Sequence, residues 1–381
     1  MSASSPLLTL TIDALAFGGE GIARDGGRVV FVPFTAPGDV AEVRITETKK
    51  NFARGEVVRL ITPGPDRTAA PCPYYGHCGG CHYQHLTYEA ELKIKAGHVA
   101  EALVRIGKLT LPEGDAVEPI LASPQPYGYR NRITVHRSEN GKGDRIGFHQ
   151  PGSHDIVDVP HCLLAAPEVN QALAELRRQE LQPKQGRARF FTRPTHFSLR
   201  HPDLPPSAFH QVNLFLLDPL RDLVAGWVGE GKRLVEGYCG GGFFTETLAP
   251  RFGTVTAIEL DGRSLRDARR RKLANVTWVE GSVEEHLADA LSGKNDEAAG
   301  PADALLLDPP REGLASGATA SILDCAPERL PQRLVYVSCN PATLARDGGK
   351  LAARYTLTRV RPIDLFPRTA QVESITLWER K

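Results

Sequence analysis

Between Leu8 and Ile61 the apolar residues come in short runs broken by glycine and proline: Leu8 to Ile12, Val29 to Val32, Val40 to Val43 and Glu56 to Leu60. Short strands at this spacing predict a small antiparallel barrel. Gly18-Gly19-Glu20-Gly21 and Pro37-Gly38-Asp39 supply its turns, and Pro63-Gly64-Pro65 reads as a linker. Lys49, Lys50 and Arg54 crowd the connection before the last strand. That basic stretch reads equally as a phosphate grip and as a solvated loop. Residues 64–205 predict a mixed α+β region, with a helix over Tyr88 to Ile106. Strand-like runs there fall at Ile133 to Val135, Ile156 to Val159, Phe190-Phe191 and Phe197 to Leu199. After Pro205-Pro206 strands alternate with helical stretches: Leu234-Val235, Thr254 to Ile258, Val276 to Val279, Ala304 to Leu307 and Leu334 to Val337. Alternation of that kind is the mark of a parallel sheet covered by helices. The chain thus divides into a barrel (1–63), a central region (64–205) and a sheet domain (206–381).

With 381 residues, 41% hydrophobic and 24% charged, the chain has the composition of a globular protein of two or three domains. It contains no apolar run of about 18 residues and no basic segment leading into an apolar one at its start. A cytoplasmic protein without membrane association is expected. A formal net charge of +1 means that a nucleic-acid partner would be held by local basic patches and not by global attraction. Seven cysteines, an odd number, argue for thiol chemistry or metal ligation over a disulfide framework.

Three of those cysteines, Cys72, Cys78 and Cys81, have the spacing C-x5-C-x2-C with glycines between the last two. Thiols so close, on backbone able to fold round an ion, form a ligand pattern. Cys162 is the remaining cysteine outside the sheet domain and is the candidate fourth ligand. Thiolate-only ligation favours an iron–sulfur cluster, with 4Fe-4S the type expected, while His77, His82 and His85 leave zinc open.

In the sheet domain, Ser338-Cys339-Asn340-Pro341 places a thiol just beyond an apolar strand, where it reads as a nucleophile or as a packed, inert cysteine. Cys239 to Gly242 form a glycine-rich turn after the first strand, where backbone can approach a cofactor. Glu259 ends the second strand, a place where an acid can accept both hydroxyls of a ribose. Asp308 heads a stiff Asp-Pro-Pro turn that can aim a carboxylate at a cofactor amine or a substrate base. Glu373 opens the last apolar run, and an antiparallel last strand would bring it to the rim that carries Asp308 and Cys339. Cys339 is then the candidate nucleophile and Glu373 the candidate base.

Taken together these residues resemble the S-adenosylmethionine-dependent RNA uracil-5-methyltransferase family over nearly the whole chain. The resemblance implies a class I methyltransferase α/β fold, Rossmann-like with a mostly parallel sheet. It also implies a TRAM-like OB barrel at the N-terminus and a central α+β region bearing the cysteine set. Phe209 to Asn213 match the family segment whose glutamine contacts the cofactor, here Gln211. Tyr238 matches an aromatic contact, Glu259 the ribose-binding acid and Asp308 the acid of the Asp-Pro motif. Cys339 matches the nucleophile and Glu373 the base. Glu236 stands where the family usually has Asp, and bulky Phe243 lies in the cofactor loop. Cys72, Cys78, Cys81 and Cys162 resemble the set in the cluster-bearing 23S rRNA enzymes, so the implied partner is RNA, rRNA first and tRNA second. The rival readings are a non-catalytic RNA-binding protein with a structural metal, and a methyltransferase acting on an exocyclic amine.

Overall fold

The structure is a computed structural model that describes residues 7–112, 114, 117–138, 145–180, 196–203, 211–293 and 300–381. The strand expected at Phe190-Phe191 lies outside these residues, as do Phe209 and His210. The chain forms two compact units. The first comprises residues up to Ile94, Gln125–Pro202 and Phe366–Ala370, and the second Lys95–Pro124, Asp203–Leu365 and Gln371–Lys381. The first unit holds residues on both sides of 63/64, and a division at Pro202/Asp203 falls beside the boundary read at 205/206.

In the first unit β1 (Leu7–Thr11), β2 (Ala14–Leu15), β3 (Glu20–Asp25), β4 (Arg28–Pro33), β5 (Val40–Thr48) and β6 (Phe52–Thr62) make a six-stranded sheet. Its order is β1-β5-β6-β4-β3-β2, antiparallel except where β4 runs parallel to β6. Alternate side chains point inward, so Leu10, Val30, Val32, Ala41 and Val43 share one core. β3 escaped sequence reading because its apolar content is small.

The segment Pro63-Gly64-Pro65, expected to be a linker, is held against the barrel. The fully buried Asp39 carboxylate accepts from Ala36 N at 2.6 Å, Gly64 N at 2.8 Å and Arg67 Nη2 at 2.6 Å. Arg67 also donates to the Phe34 carbonyl at 2.9 Å. A side chain on Gly64 would meet the Pro37 carbonyl at 2.2 Å, so only glycine fits.

Beyond it α1 (Tyr88–Arg105) fills the predicted helix almost to the residue. β7 (Arg132–Arg137), β8 (Ile146–His149), β9 (Ile156–Asp158), α2 (Pro167–Glu180) and β10 (His196–Arg200) follow. The four strands form an antiparallel sheet ordered β10-β7-β8-β9.

The second unit continues with α3 (Leu217–Val228), β11 (Gly231–Gly237), α4 (Thr245–Leu248), β12 (Phe252–Glu259), α5 (Gly262–Arg269) and β13 (Val276–Glu280). Then come α6 (Val283–Ser292), β14 (Ala304–Leu307), α7 (Ser316–Leu323), β15 (Arg333–Ser338), α8 (Pro341–Leu351), β16 (Tyr355–Ile363) and β17 (Glu373–Arg380). Seven strands order as β13-β12-β11-β14-β15-β17-β16. The first five are parallel, and β17 runs antiparallel to both β15 and β16. Strand order reverses between β11 and β14, which is where open α/β sheets bind ligands beyond their carboxyl ends. β16 was not expected, because Arg359 and Arg361 break its apolar run. Residues 118–121 lie along it, Glu118 N and Leu121 N donating to the carbonyls of Val360 and Pro362. Below them the fully buried Lys95 and Asp364 pair at 2.6 Å.

Asp39→Ala should destabilise the first unit by about 3–5 kcal/mol, since it strands the Arg67 charge and two backbone N–H groups. Burial opposes the Asp39 charge, but Arg67 and the Ala36 and Gly64 amides outweigh it and hold the carboxyl below its usual range. Its contribution is therefore present above about pH 4 and lost as pH falls. Urea melts should show the gap between wild type and variant closing in acid.

Candidate active site and cysteine cluster

The end of β11 forces the chain into a tight turn. Tyr238 adopts a left-handed φ of 63°, a conformation disfavoured for an aromatic residue. Gly237 before it has no room for a side chain, since a Cβ would lie 2.9 Å from Leu307 and 3.2 Å from Val283. Glu259, at the end of the neighbouring β12, fastens the turn. One of its oxygens accepts from Gly240 N at 2.8 Å, the other from Asp261 N at 2.8 Å. A carboxylate has about four lone-pair directions, so both oxygens keep acceptor capacity toward a ligand.

Beneath the turn Glu236 is buried and accepts from the Thr245 hydroxyl at 2.7 Å. Burial, with the Asp308 charge adding to it, pushes the Glu236 carboxyl up to about 8. Asp308 follows β14 and donates its amide to the Gly237 carbonyl at 3.4 Å. Its own carboxyl is raised by burial and then by Glu259. Tyr238 donates its hydroxyl to Glu284 at 3.3 Å. Gln211 is buried, and two residues on Asn213 caps a short turn by accepting from Phe215 N at 3.0 Å. Phe243 packs edge-on against Phe244 with the Arg221 guanidinium 4.4 Å from its ring, and Ser282 caps α6 in a reciprocal box with Glu285.

Cys339 leaves β15 opposite the start of β17. The antiparallel register pairs Ser338 with Ser374, which puts Cys339 and Glu373 at adjoining positions on neighbouring strands. Glu373 is only 4% exposed, and burial followed by the Asp308 charge lifts its carboxyl well above the ordinary value. The Cys339 thiol is pushed up to about 11 by burial, with Glu373 and Asp308 contributing. Arg311 acts in the opposite sense on both Cys339 and Glu373. Its role was not read from the sequence; its place directly after Asp308-Pro309-Pro310 was the available signal.

The Arg311 backbone is pinned to α8, its carbonyl accepting from Asn340 Nδ2 at 3.2 Å and the Thr343 hydroxyl at 3.1 Å. Buried Asp347 accepts from Leu314 N at 2.8 Å and the Tyr336 hydroxyl at 2.9 Å. Cys339, Glu373, Asp308, Glu259 and Arg311 thus lie within electrostatic reach of one another in overlapping pairs.

A second group lies in the first unit. The Cys81 thiol is pushed up to about 12 by burial, with Cys162, Cys78 and Cys72 adding to the shift. Cys78 is pushed up to about 11 by burial, then by Cys162 and Cys72. The four thiols therefore feel one another, although among the described residues no three His, Cys, Asp or Glu side chains are drawn to metal-holding separation. Gln84 links two of them, donating to Cys81 Sγ at 3.1 Å and accepting from Cys72 N at 3.2 Å. Of the three candidate histidines, His85 has both ring nitrogens engaged, Nδ1 with the Tyr75 hydroxyl and Nε2 with the Thr35 carbonyl. It is not a free ligand.

The family description "TRAM domain" matches residues 7–58 and "tRNA (Uracil-5-)-methyltransferase" matches residues 211–381. An uncharacterized RNA methyltransferase of Bdellovibrio bacteriovorus is 33% identical, over 98% of this chain and 96% of its own length. The 23S rRNA (uracil(1939)-C(5))-methyltransferase RlmD of Pectobacterium atrosepticum is 31% identical, over 97% of this chain and 93% of its own. The chain belongs to the RNA uracil-5-methyltransferase family. A solved structure, the Pyrococcus abyssi tRNA (uracil-54, C5)-methyltransferase in complex with S-adenosyl-L-homocysteine, shares the fold with a TM-score of 0.67. It is 22% identical and covers 97% of this chain and 100% of its own. The expected fold class, a Rossmann-like sheet preceded by an OB-like strand domain, is therefore the one observed in this uracil-5-methyltransferase.

Because Glu236 holds its proton to about pH 8 when folded, whereas an exposed glutamate releases it near 4.5, the folded state binds more protons between those values. Wild-type stability then falls as pH rises through that window. Glu236→Gln should remove this slope and be more stable than wild type above pH 8, by about 1–3 kcal/mol. Thermal melts across pH read it directly.

Proposed function

We propose that this protein methylates C5 of a specific uridine in structured RNA, 23S rRNA first, using S-adenosylmethionine in the cytoplasm. The observation that supports the reading most is the register of β15 with β17, which sets Glu373 beside Cys339. Barrel residues 1–63 and central residues 64–205 would hold RNA, and residues 206–381 would carry the chemistry. Gln211, Tyr238, Glu259 and Asp308 would hold the cofactor, Glu259 at the ribose hydroxyls. S-adenosylmethionine, when bound, supplies an electrophilic methyl on a cationic sulfur.

Uracil C5 is a weak nucleophile, and covalent addition at C6 corrects that. The Cys339 thiolate forms a bond to C6, and the electron pair of the C5–C6 double bond moves into an enolate. C5 would then accept the methyl of bound S-adenosylmethionine, whose methyl–sulfur bond breaks to leave S-adenosylhomocysteine. Glu373 takes the C5 proton, the C6–sulfur bond breaks, and Cys339 leaves as thiolate. Arg311 favours the thiolate. A cation bound among Asp308, Glu373 and Cys339 would lower all three groups from their raised values, so ionisation accompanies cofactor binding. The target uridine must be unpaired or flipped out to expose C6.

Cys72, Cys78, Cys81 and Cys162 suit an iron–sulfur cluster. They are four thiols in electrostatic reach of one another, Cys78 and Cys81 flank two glycines, and His85 is engaged elsewhere. A cluster there would cross-link the central region and position RNA. A tRNA target is the second reading, favoured by the family description that matches residues 211–381.

Cys339→Ala should abolish methylation, by at least about 1,000-fold, and the adduct with 5-fluorouridine RNA, while S-adenosylmethionine binding persists. Turnover by that variant overturns the covalent route. Glu373→Gln should transfer the methyl but stall elimination, so a methyl-labelled protein–RNA adduct accumulates on denaturing gels. Transcripts of 23S rRNA and tRNA as substrates separate the two readings. Anaerobically purified protein should contain iron and acid-labile sulfide, both lost on Cys81→Ser; stoichiometric zinc without iron would exclude the cluster.

A further inference from the structure

A cleft of about 640 Å³ lies wholly within the first unit, between the turns of the barrel and the sheet of the central region. Five aromatic or imidazole rings line it: Phe34, His82, His136, Phe148 and His149. The remainder of the wall is largely glycine and proline backbone, from Gly18-Gly19, Gly79-Gly80 and Pro151-Gly152, and it adjoins the cysteine site at Cys81. These are not consumed in packing against one another alone. His136 and His149 have ring centroids 4.1 Å apart at an angle of 44°, a tilted pair and not a stacked one. Phe148 and His149 are half-buried on β8, and the Gly79 amide donates to the His149 carbonyl at 2.9 Å, fixing the wall's backbone.

The charge of the lining limits what can bind. Among the described residues it includes no Lys or Arg, and its one carboxylate, Glu20, is paired with Arg54. A phosphate would find no cationic partner there. His136 is held below the ordinary imidazole value by burial and then by His149 and His196, so it presents neutral donor and acceptor nitrogens. Flat rings and neutral hydrogen-bonding groups suit a planar, uncharged heteroaromatic ligand.

We infer that this cleft takes an unpaired nucleobase of the bound RNA, distinct from the uridine that meets Cys339. The inference rests on the RNA reading above. It gives the first unit a base-stacking site beyond any phosphate contacts, and RNA recognition outside helices relies on such splayed-out bases.

Binding of a fluorescein-labelled single-stranded RNA of about 16 nucleotides to the full-length protein tests it. Phe148→Ala and His149→Ala should each weaken binding about 5- to 100-fold, the range for one lost base stack. His149→Phe should retain wild-type affinity. The slope of log Kd against log salt should stay unchanged, because no phosphate contact is removed. Unchanged far-ultraviolet circular dichroism and urea melts certify that each variant is folded. Independently, 5-iodouridine RNA irradiated with wild-type protein should cross-link to Phe34, Phe148 or His149. Wild-type affinity in both alanine variants, or cross-links only elsewhere, overturns the base site, including in favour of a protein ligand for the cleft. If cross-links fall in the cleft but no 5-methyluridine forms in any RNA, the base site stands and the methylation reading fails.

Discussion

Burial of carboxyl groups at the carboxyl ends of one sheet is the constraint on which this protein depends. Glu236 and Glu373 are buried and Asp308 is half-buried, where β11, β14 and the turn into β17 bring their ends together. Each is raised because desolvation penalises its charge, and neighbouring acids add to the penalty. Carboxyls raised in this way ionise more readily when a cation lies within reach.

The geometry that delivers this electrostatic arrangement is a single topological departure. In an all-parallel sheet a strand's first residue lies at the edge opposite to the ends of its neighbours. β17 is inserted antiparallel between β15 and β16, so its first residue, Glu373, reaches the rim where β15 ends at Ser338. The loop carrying Asp308 and Arg311 is then locked by backbone bonds to Asn340, Thr343 and Asp347 on or beside α8. α8 and its cap thereby fix the backbone of Arg311. Such fixed dipoles and charges need little rearrangement during reaction.

The first unit solves a different problem. Its barrel and central sheet are too small to bury large cores, and polar staples supplement them: Asp39 with Arg67, Gln84 between the Cys81 thiol and the Cys72 amide, and Glu91 accepting from the Arg368 amide at 2.7 Å. Residues 366–370, though late in the chain, belong to this unit. The segment leading to the candidate base therefore passes through the unit that carries the cysteines.

The sequence by itself determined the strands of the parallel sheet, because Leu234-Val235, Ala304 to Leu307 and Leu334 to Val337 are buried on both faces and must be continuously apolar. It also marked Cys339, Asp308 and the thiol trio, since each sits in a short pattern whose residues are neighbours in the chain. Tertiary structure alone decided what depends on distant pairing. β16 was invisible because its edge position tolerates arginines, and β3 because Glu20-Gly21 read as a turn and Ile22 is its one large apolar residue. The linker at Gly64 became a packed contact through Asp39, which lies 25 residues earlier. Arg311 acquired a role only when β17 brought Glu373 to Cys339. Periodicity reports burial of a residue's own element, whereas the field at a site is the sum of charges that the fold gathers from separate elements.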